Sequence, residues 1–239
     1  MPPSIASPHN RKLKEVRKLR MRRRARERAG RFVAEGEDLL AAADAAGWTA
    51  LERYCAAGSG LPGTEVDAKL LASASGLASG TRALAVYEER WAPHPLGPLC
   101  VYLHDVHDPG NVGAVVRSAE AFGASCVALG GASADPFSPK AVRASMGAVF
   151  GVPVARAESA QDLPGVRIAL VAGLGAPLEE IRSPEATLMV GGERTGLPHD
   201  LISQADEIAH IPITTNSLNA AMAATVALYE LTTRMGRDD

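Results

Sequence analysis

Aromatic residues are scarce in this chain: two Trp, four Tyr and four Phe among 239 residues. Its core must therefore be built mainly from Ala, Val, Leu and Ile. Cysteine is scarcer still. Cys55, Cys100 and Cys126 lie far apart with no C-x-x-C pair, which argues against a disulfide framework or a cysteine zinc site and fits a reducing cytosol. No apolar run approaches the ~18 residues of a membrane span, and the opening MPPSIASPHNRK has no apolar leader core. A cytoplasmic chain with no membrane partner is expected. Hydrophobic residues at 46% and charged residues at 22% suit a globular protein of one large or two modest domains.

The net charge of −2 conceals a strong asymmetry. Twelve of the 25 Lys and Arg fall in residues 11–31, against only Glu15 and Glu27 there, so the rest of the chain carries 13 basic and 25 acidic residues. Such a concentration of arginine attracts polyanions by releasing their counterions. RNA contact is assigned to Arg20, Arg22, Arg23, Arg24, Arg26 and Arg31. An acidic partner, or a basic helix that is simply solvated, stays open as the alternative.

Leu13, Val16 and Leu19 recur at helical spacing, which predicts a helix over 11–29 ending near Gly30. A short strand, a helix from about Glu37 and strands at 54–58 and 82–89 follow, giving a small α/β unit over 1–90. Three prolines in WAPHPLGP mark 91–98 as a linker. From 99 to 239 continuous apolar strands alternate with helices, among them NVGAVVRSAEAFG, SPKAVRASMGAVF and a last helix over SLNAAMAATVALYELTTRMG. That pattern predicts a parallel sheet covered on both faces, with ligands beyond the carboxyl ends of its strands.

The stretch LHDVHDPGNVGAVVR (103–117) concentrates polar chemistry. His104, Asp105, His107 and Asp108 suggest a metal site, but neighbouring residues at a strand end point apart, Pro109 bends the chain, and His199 and His210 stand alone. No metal is expected. A Walker loop needs Lys-Ser/Thr where Gly113 is followed by Ala-Val-Val, and the nearest approach to G-x-G-x-x-G, at Gly173 and Gly175, is interrupted by Pro177. The fit is to a substrate-facing loop with Asn111 as N-cap of a helix whose stripe is Val112, Val115, Val116, Ala119 and Phe122. Arg117 falls off that stripe and leans over Gly113, toward the strand-end crevice. A surface pairing of Arg117 with Glu120 is equally consistent with the spacing.

Three ordered segments, NVGAVVRSAEAFGA (111–124), LMVGGERTGLP (188–198) and IPITTNSLNAAMAATVALYE (211–230), together resemble the SpoU (TrmH-like) branch of the SPOUT RNA 2′-O-ribose methyltransferases. SPKAVRASMGAVFGVPV (138–154) also resembles the family. FVAEGEDLL (32–40) and the basic helix before it are similar to the ribosomal-protein-like substrate-binding domain that many members carry. The resemblance implies an α/β parallel-sheet SPOUT domain with a C-terminal trefoil knot, acting as a homodimer and using S-adenosylmethionine. It assigns Gly191, Gly192, Ile211, Leu218 and Asn219 to the methyl donor, and Arg117, Asn111, Glu193, Ser217 and Asn219 to catalysis. A guanidinium keeps its proton, so Arg117 is expected to grip an RNA phosphate or the developing alkoxide, with phosphate or water taking the proton. Asn111 would orient Arg117 or the ribose. Arg194 stands where many relatives have glycine. The implied activity is ribose methylation of structured RNA, ribosomal in preference to transfer RNA because of the extra N-terminal domain. A catalytically silent RNA-binding or assembly protein is the second reading, and a nucleotide-dependent oxidoreductase, lacking its fingerprint, the third.

Overall fold

The computed structural model describes residues 4–77 and 80–235, which divide into two compact units. The first holds the chain up to Glu89 together with Phe137–Phe150. Its elements are α1 (Arg11–Met21), α2 (Arg23–Ala29), β1 (Arg31–Glu35), α3 (Glu37–Ala45), β2 (Glu52–Ala56), β3 (Thr64–Val66), α4 (Ala68–Ala74) and β4 (Ala83–Glu88). The sheet runs β1-β4-β2-β3, antiparallel except for the β2–β3 pair.

The helix expected over 11–29 is two helices. Arg22 is extended (φ −130°, ψ 113°), and α2 ends on Gly30 in the left-handed region. The break has a physical partner: buried Arg26 donates to the carbonyls of Leu19 (2.7 Å) and Arg20 (3.4 Å), supplying donors that the end of α1 lacks. Arg20 is likewise engaged, in an ion pair with buried Glu35, whose other oxygen accepts from Ser75 (2.8 Å) and the Gly76 amide (2.9 Å). Arg20 and Arg26, both assigned to RNA from the sequence, are thus spent inside the fold. Arg22, Arg23, Arg24 and Arg31 are exposed, with Arg23 on Glu27 (2.8 Å) and Arg31 on Glu15 (3.4 Å).

The scarce rings are concentrated here. Phe32 lies 4.9 to 6.1 Å, centroid to centroid, from Trp48, Tyr87, Phe137 and Phe150, and the Trp48 indole donates to the Phe150 carbonyl at 2.8 Å. This cluster explains why the returning segment 137–150, expected within the C-terminal domain, belongs to the first unit.

The second unit begins with β5 (Trp91–Ala92), so the proline-rich stretch taken as a linker supplies an edge strand. There follow β6 (Leu99–His104), α5 (Pro109–Ala121) and β7 (Cys126–Gly130), then, within the first unit, α6 (Pro139–Ala144). The chain resumes with β8 (Val154–Arg156), β9 (Val166–Leu170), β10 (Ala176–Pro177), β11 (Ala186–Gly191), α7 (His199–Ile202), β12 (Glu207–His210) and α8 (Ala220–Met235). The sheet order is β10-β12-β9-β11-β6-β7-β8-β5, and every pairing is parallel, as the buried apolar runs required. No helix among the described residues is long and apolar enough to cross a membrane.

Arg167 on β9 grips Asp206, just before β12, through two guanidinium bonds of 2.8 Å and its own amide at 2.9 Å. Those bonds hold the Asp206 carboxyl down at about 2. Because the folded value is depressed, the stabilisation is complete above the ordinary carboxylate range and is lost as pH falls through about 2. Asp206→Asn should therefore cost at most about 1 kcal/mol for this half-exposed pair, constant from neutral pH to about pH 5 and shrinking only below about pH 4, by urea titration. Phe32→Ala should cost about 3–5 kcal/mol in the same measurement, and a loss under about 1 kcal/mol would deny the ring cluster its role.

Candidate active site

Beyond the carboxyl ends of β9, β11 and β12 lies a cavity of about 380 Å³. Leu170–Ala172 form one wall, Val190–Leu197 the second, and Ile211, Ile213, Ser217 and Leu218 the third. Six residues expected there, Gly191, Gly192, Glu193, Ile211, Ser217 and Leu218, line it. Asn219, Asn111 and Arg117 do not. The β9 end, Leu170–Ala172, was missed; it carries only small and apolar residues, and nothing but strand topology identifies it.

Glycine is required at the turn after β11 by close backbone approach. A Cβ on Gly191 would stand 2.1 Å from the Gly196 carbonyl carbon and 2.2 Å from the Leu197 nitrogen. At Gly192 it would meet the Asp105 carbonyl oxygen at 2.3 Å. The turn closes with the Gly196 amide donating to Gly192 at 2.9 Å.

Asp105 holds the facing loop. It adopts φ +55°, a region aspartate tolerates, and its carboxylate accepts the Ala132 amide at 2.6 Å. His104 Nε2 stands 3.5 Å from the same carboxylate, while its Nδ1 is 2.9 Å from the Tyr102 hydroxyl. Burial pushes that hydroxyl up to about 12. His107 contacts the Ala132 carbonyl at 3.1 Å. The His-Asp pairs thus fasten strand ends to loops. The N-cap of α5 is Asp108, which accepts from Gly110 at 2.7 Å with Pro109 as the first helical residue; Asn111, expected to cap, is the third residue of the helix.

Freed from capping, Asn111 joins the three segments. Its Nδ2 donates to Glu193 Oε1 at 2.5 Å, and its Oδ1 accepts from Asn219 Nδ2 at 3.1 Å. Asn219 Oδ1 in turn accepts the amides of Ala221 (2.9 Å) and Met222 (3.2 Å), capping α8, which starts at Ala220 and not at 217. The orientation of each amide is therefore dictated by the next, from helix terminus to carboxylate. Arg117 is exposed, outside the cavity lining, and has no ion pair with Glu120 among the described residues. A single chain brings Asn111, Glu193 and Asn219 together and leaves Arg117 apart from the cavity.

The description "SpoU rRNA Methylase family" matches residues 98–229, and "MRM3-like substrate binding domain" matches residues 10–89. An AdoMet-bound rRNA methyltransferase from Sinorhizobium meliloti superposes with a TM-score of 0.86 and 31% identity, covering 95% of this chain and 96% of that one. The SpoU methyltransferase AviRb from Streptomyces viridochromogenes, in complex with AdoMet, superposes at 0.84 with 26% identity, covering 95% and 98%. The 23S rRNA (guanosine(2553)-2′-O)-methyltransferase RlmP of Bacillus subtilis is 36% identical over 139 residues, 53% of this chain and 54% of that protein. The chain spans about half the length of the curated relatives it matches.

Gly191→Ala should weaken S-adenosylmethionine binding at least about tenfold, because the added methyl would overlap the Gly196–Leu197 peptide and a tenfold loss needs only ~1.4 kcal/mol of overpacking. Calorimetry checks this, and an unchanged affinity would remove the turn from donor binding.

Proposed function

The chain belongs to the SpoU rRNA methylase family, and from that premise we propose that it methylates a ribose 2′-hydroxyl of ribosomal RNA with S-adenosylmethionine. The observation that carries this reading is the bonded series Glu193–Asn111–Asn219, which ties the three family segments together beside the cavity. Two curated relatives are named for 2′-O-methylation of 23S rRNA, which favours ribosomal over transfer RNA, and two structural neighbours hold AdoMet.

The cavity suits the donor. Leu170, Val190, Leu197, Ile211 and Leu218 give an apolar seat for an adenine, and the bare backbone at Gly191 and Gly192 lets main-chain groups approach it. Bound S-adenosylmethionine supplies an electrophilic methyl on a sulfonium, which leaves as a neutral thioether when the ribose oxygen takes the methyl. Glu193, fixed by Asn111, and Ser217 hold the ribose side of the cavity through hydrogen bonds. Arg117, with a guanidinium that cannot act as base, neutralises the phosphate or the forming alkoxide; the 2′-hydroxyl proton passes to phosphate or water.

Arg117 lies outside its own chain's cavity, so the reading requires a homodimer in which it serves a shared site. The support is an apolar stripe on α8: Met222, Val226 and Tyr229 are 59%, 42% and 54% exposed at helical spacing. That helix is pinned to the Arg117 helix by Ser118–Thr225 (2.6 Å) and the Phe122–Tyr229 ring contact (6.1 Å). A second copy covering the stripe would bring Arg117 to the interface. Exposed Arg22 and Arg24 of the basic segment offer phosphate contacts.

Arg117→Ala should lower methyl transfer to ribosomal RNA by about 10²–10³ while donor affinity holds within about twofold, by radiolabel incorporation and calorimetry. Undiminished turnover would remove Arg117 from the mechanism, and a wild-type protein that binds no donor would favour the silent assembly-factor reading.

A further inference from the structure

Arg194 occupies the wall of the cavity, between Glu193 and Thr195, on the turn closed by Gly192 and Gly196. It is the only cationic residue among the cavity lining, and Glu193 is the only anionic one. Arg167 is engaged on Asp206, Arg182 on the Glu179 and Ile181 carbonyls and Arg156 over the Trp91 ring at 4.4 Å, while Arg117 lies outside the cavity lining. Arg194 is exposed and has no hydrogen bond or ion pair with any described residue. Its neighbour cannot serve it without cost to the site, since Glu193 Oε1 is committed to Asn111. The guanidinium therefore has a free planar fork at the edge of a cavity whose other walls are apolar, small or hydroxylic.

We infer that Arg194 holds the carboxylate of the methionine end of S-adenosylmethionine, a specificity contact at the donor site additional to the adenine seat. The inference rests on the methyl-transfer reading above. The donor's adenine and ribose are uncharged, and its only anionic group is that carboxylate. A guanidinium recognises a carboxylate through two parallel charge-assisted bonds, where a backbone amide or a lysine supplies a single point of contact. The turn itself sets the location: the closures at Gly191 and Gly192 hold its backbone on both sides, so the side chain at 194 projects from a fixed base.

The test is calorimetry of the full chain with three compounds: S-adenosylmethionine, S-adenosylhomocysteine and 5′-methylthioadenosine, which keeps the adenine and ribose and lacks the amino-acid end. In Arg194→Gln and Arg194→Gly the first two should bind at least tenfold more weakly, 5′-methylthioadenosine should change less than twofold, and Arg194→Lys should fall between. Equal losses for all three compounds would mean that the turn had collapsed, and would overturn the assignment. So would unchanged binding of all three, which with a raised KM for RNA would place the guanidinium on an RNA phosphate. Tighter binding of S-adenosylmethionine alone would show repulsion of the sulfonium and equally contradict it. If the unsubstituted chain bound none of the three, the methyl-transfer reading itself would fail, an outcome distinct from all of these.

Discussion

Two asparagine side chains hold the candidate site in register. Asn111 comes from the first turn of α5, Asn219 from the cap of α8, and Glu193 from the turn after β11, so the residues they join are far apart in sequence. An amide has one donor end and one acceptor end, and here both ends of Asn111 are used. The amides at the start of α8 fix Asn219, Asn219 fixes Asn111, and Asn111 fixes Glu193 at the cavity wall. Breaking any bond frees the groups beyond it toward Glu193, whose side-chain donor in this series is Asn111. The close packing of Gly191 and Gly192 works in the same direction, because backbone in contact with backbone leaves the turn little room to move.

Much of the second unit was legible because its physics is local. Leu99–Leu103 is an unbroken apolar run and Ala186–Val190 is interrupted only by buried Thr187, the pattern that a strand covered on both faces requires. The cavity-lining glycines and Ile211, Ser217 and Leu218 came from the family resemblance that the ordered motifs carry, and the strand-end rule gave only the side of the sheet on which to look. The cap of α5 was misplaced although Asp-Pro at 108–109 is itself a start signal, a proline in the first turn behind an acidic cap. Asn111 suits a cap by residue type alone; its partners at 193 and 219 are long-range and invisible to spacing.

What stayed hidden depends on contacts distant in sequence. Arg26 looks like any other arginine of the basic segment until α1 ends at Met21 and exposes carbonyls for it to bond. Glu35 removes Arg20 from the surface in a similar way, so charge counting overstates the cations available to RNA. Half of the chain's aromatic residues collect in one cluster of the first unit, and this draws in Phe137 and Phe150 across more than a hundred residues of sequence. A run of helix-forming residues at 138–150 carries no mark of that allegiance.

The central claim is that Asn111 acts on Glu193 and not independently of it. A double-mutant cycle in methyl transfer to ribosomal RNA, with the 2′-O-methylnucleoside quantified by mass spectrometry after nuclease digestion, tests this directly. If the two side chains function as one unit, Asn111→Ala with Glu193→Ala should be no slower than the slower single variant. Losses that simply multiply, or a methyl group found on a base instead of the ribose, would contradict the account.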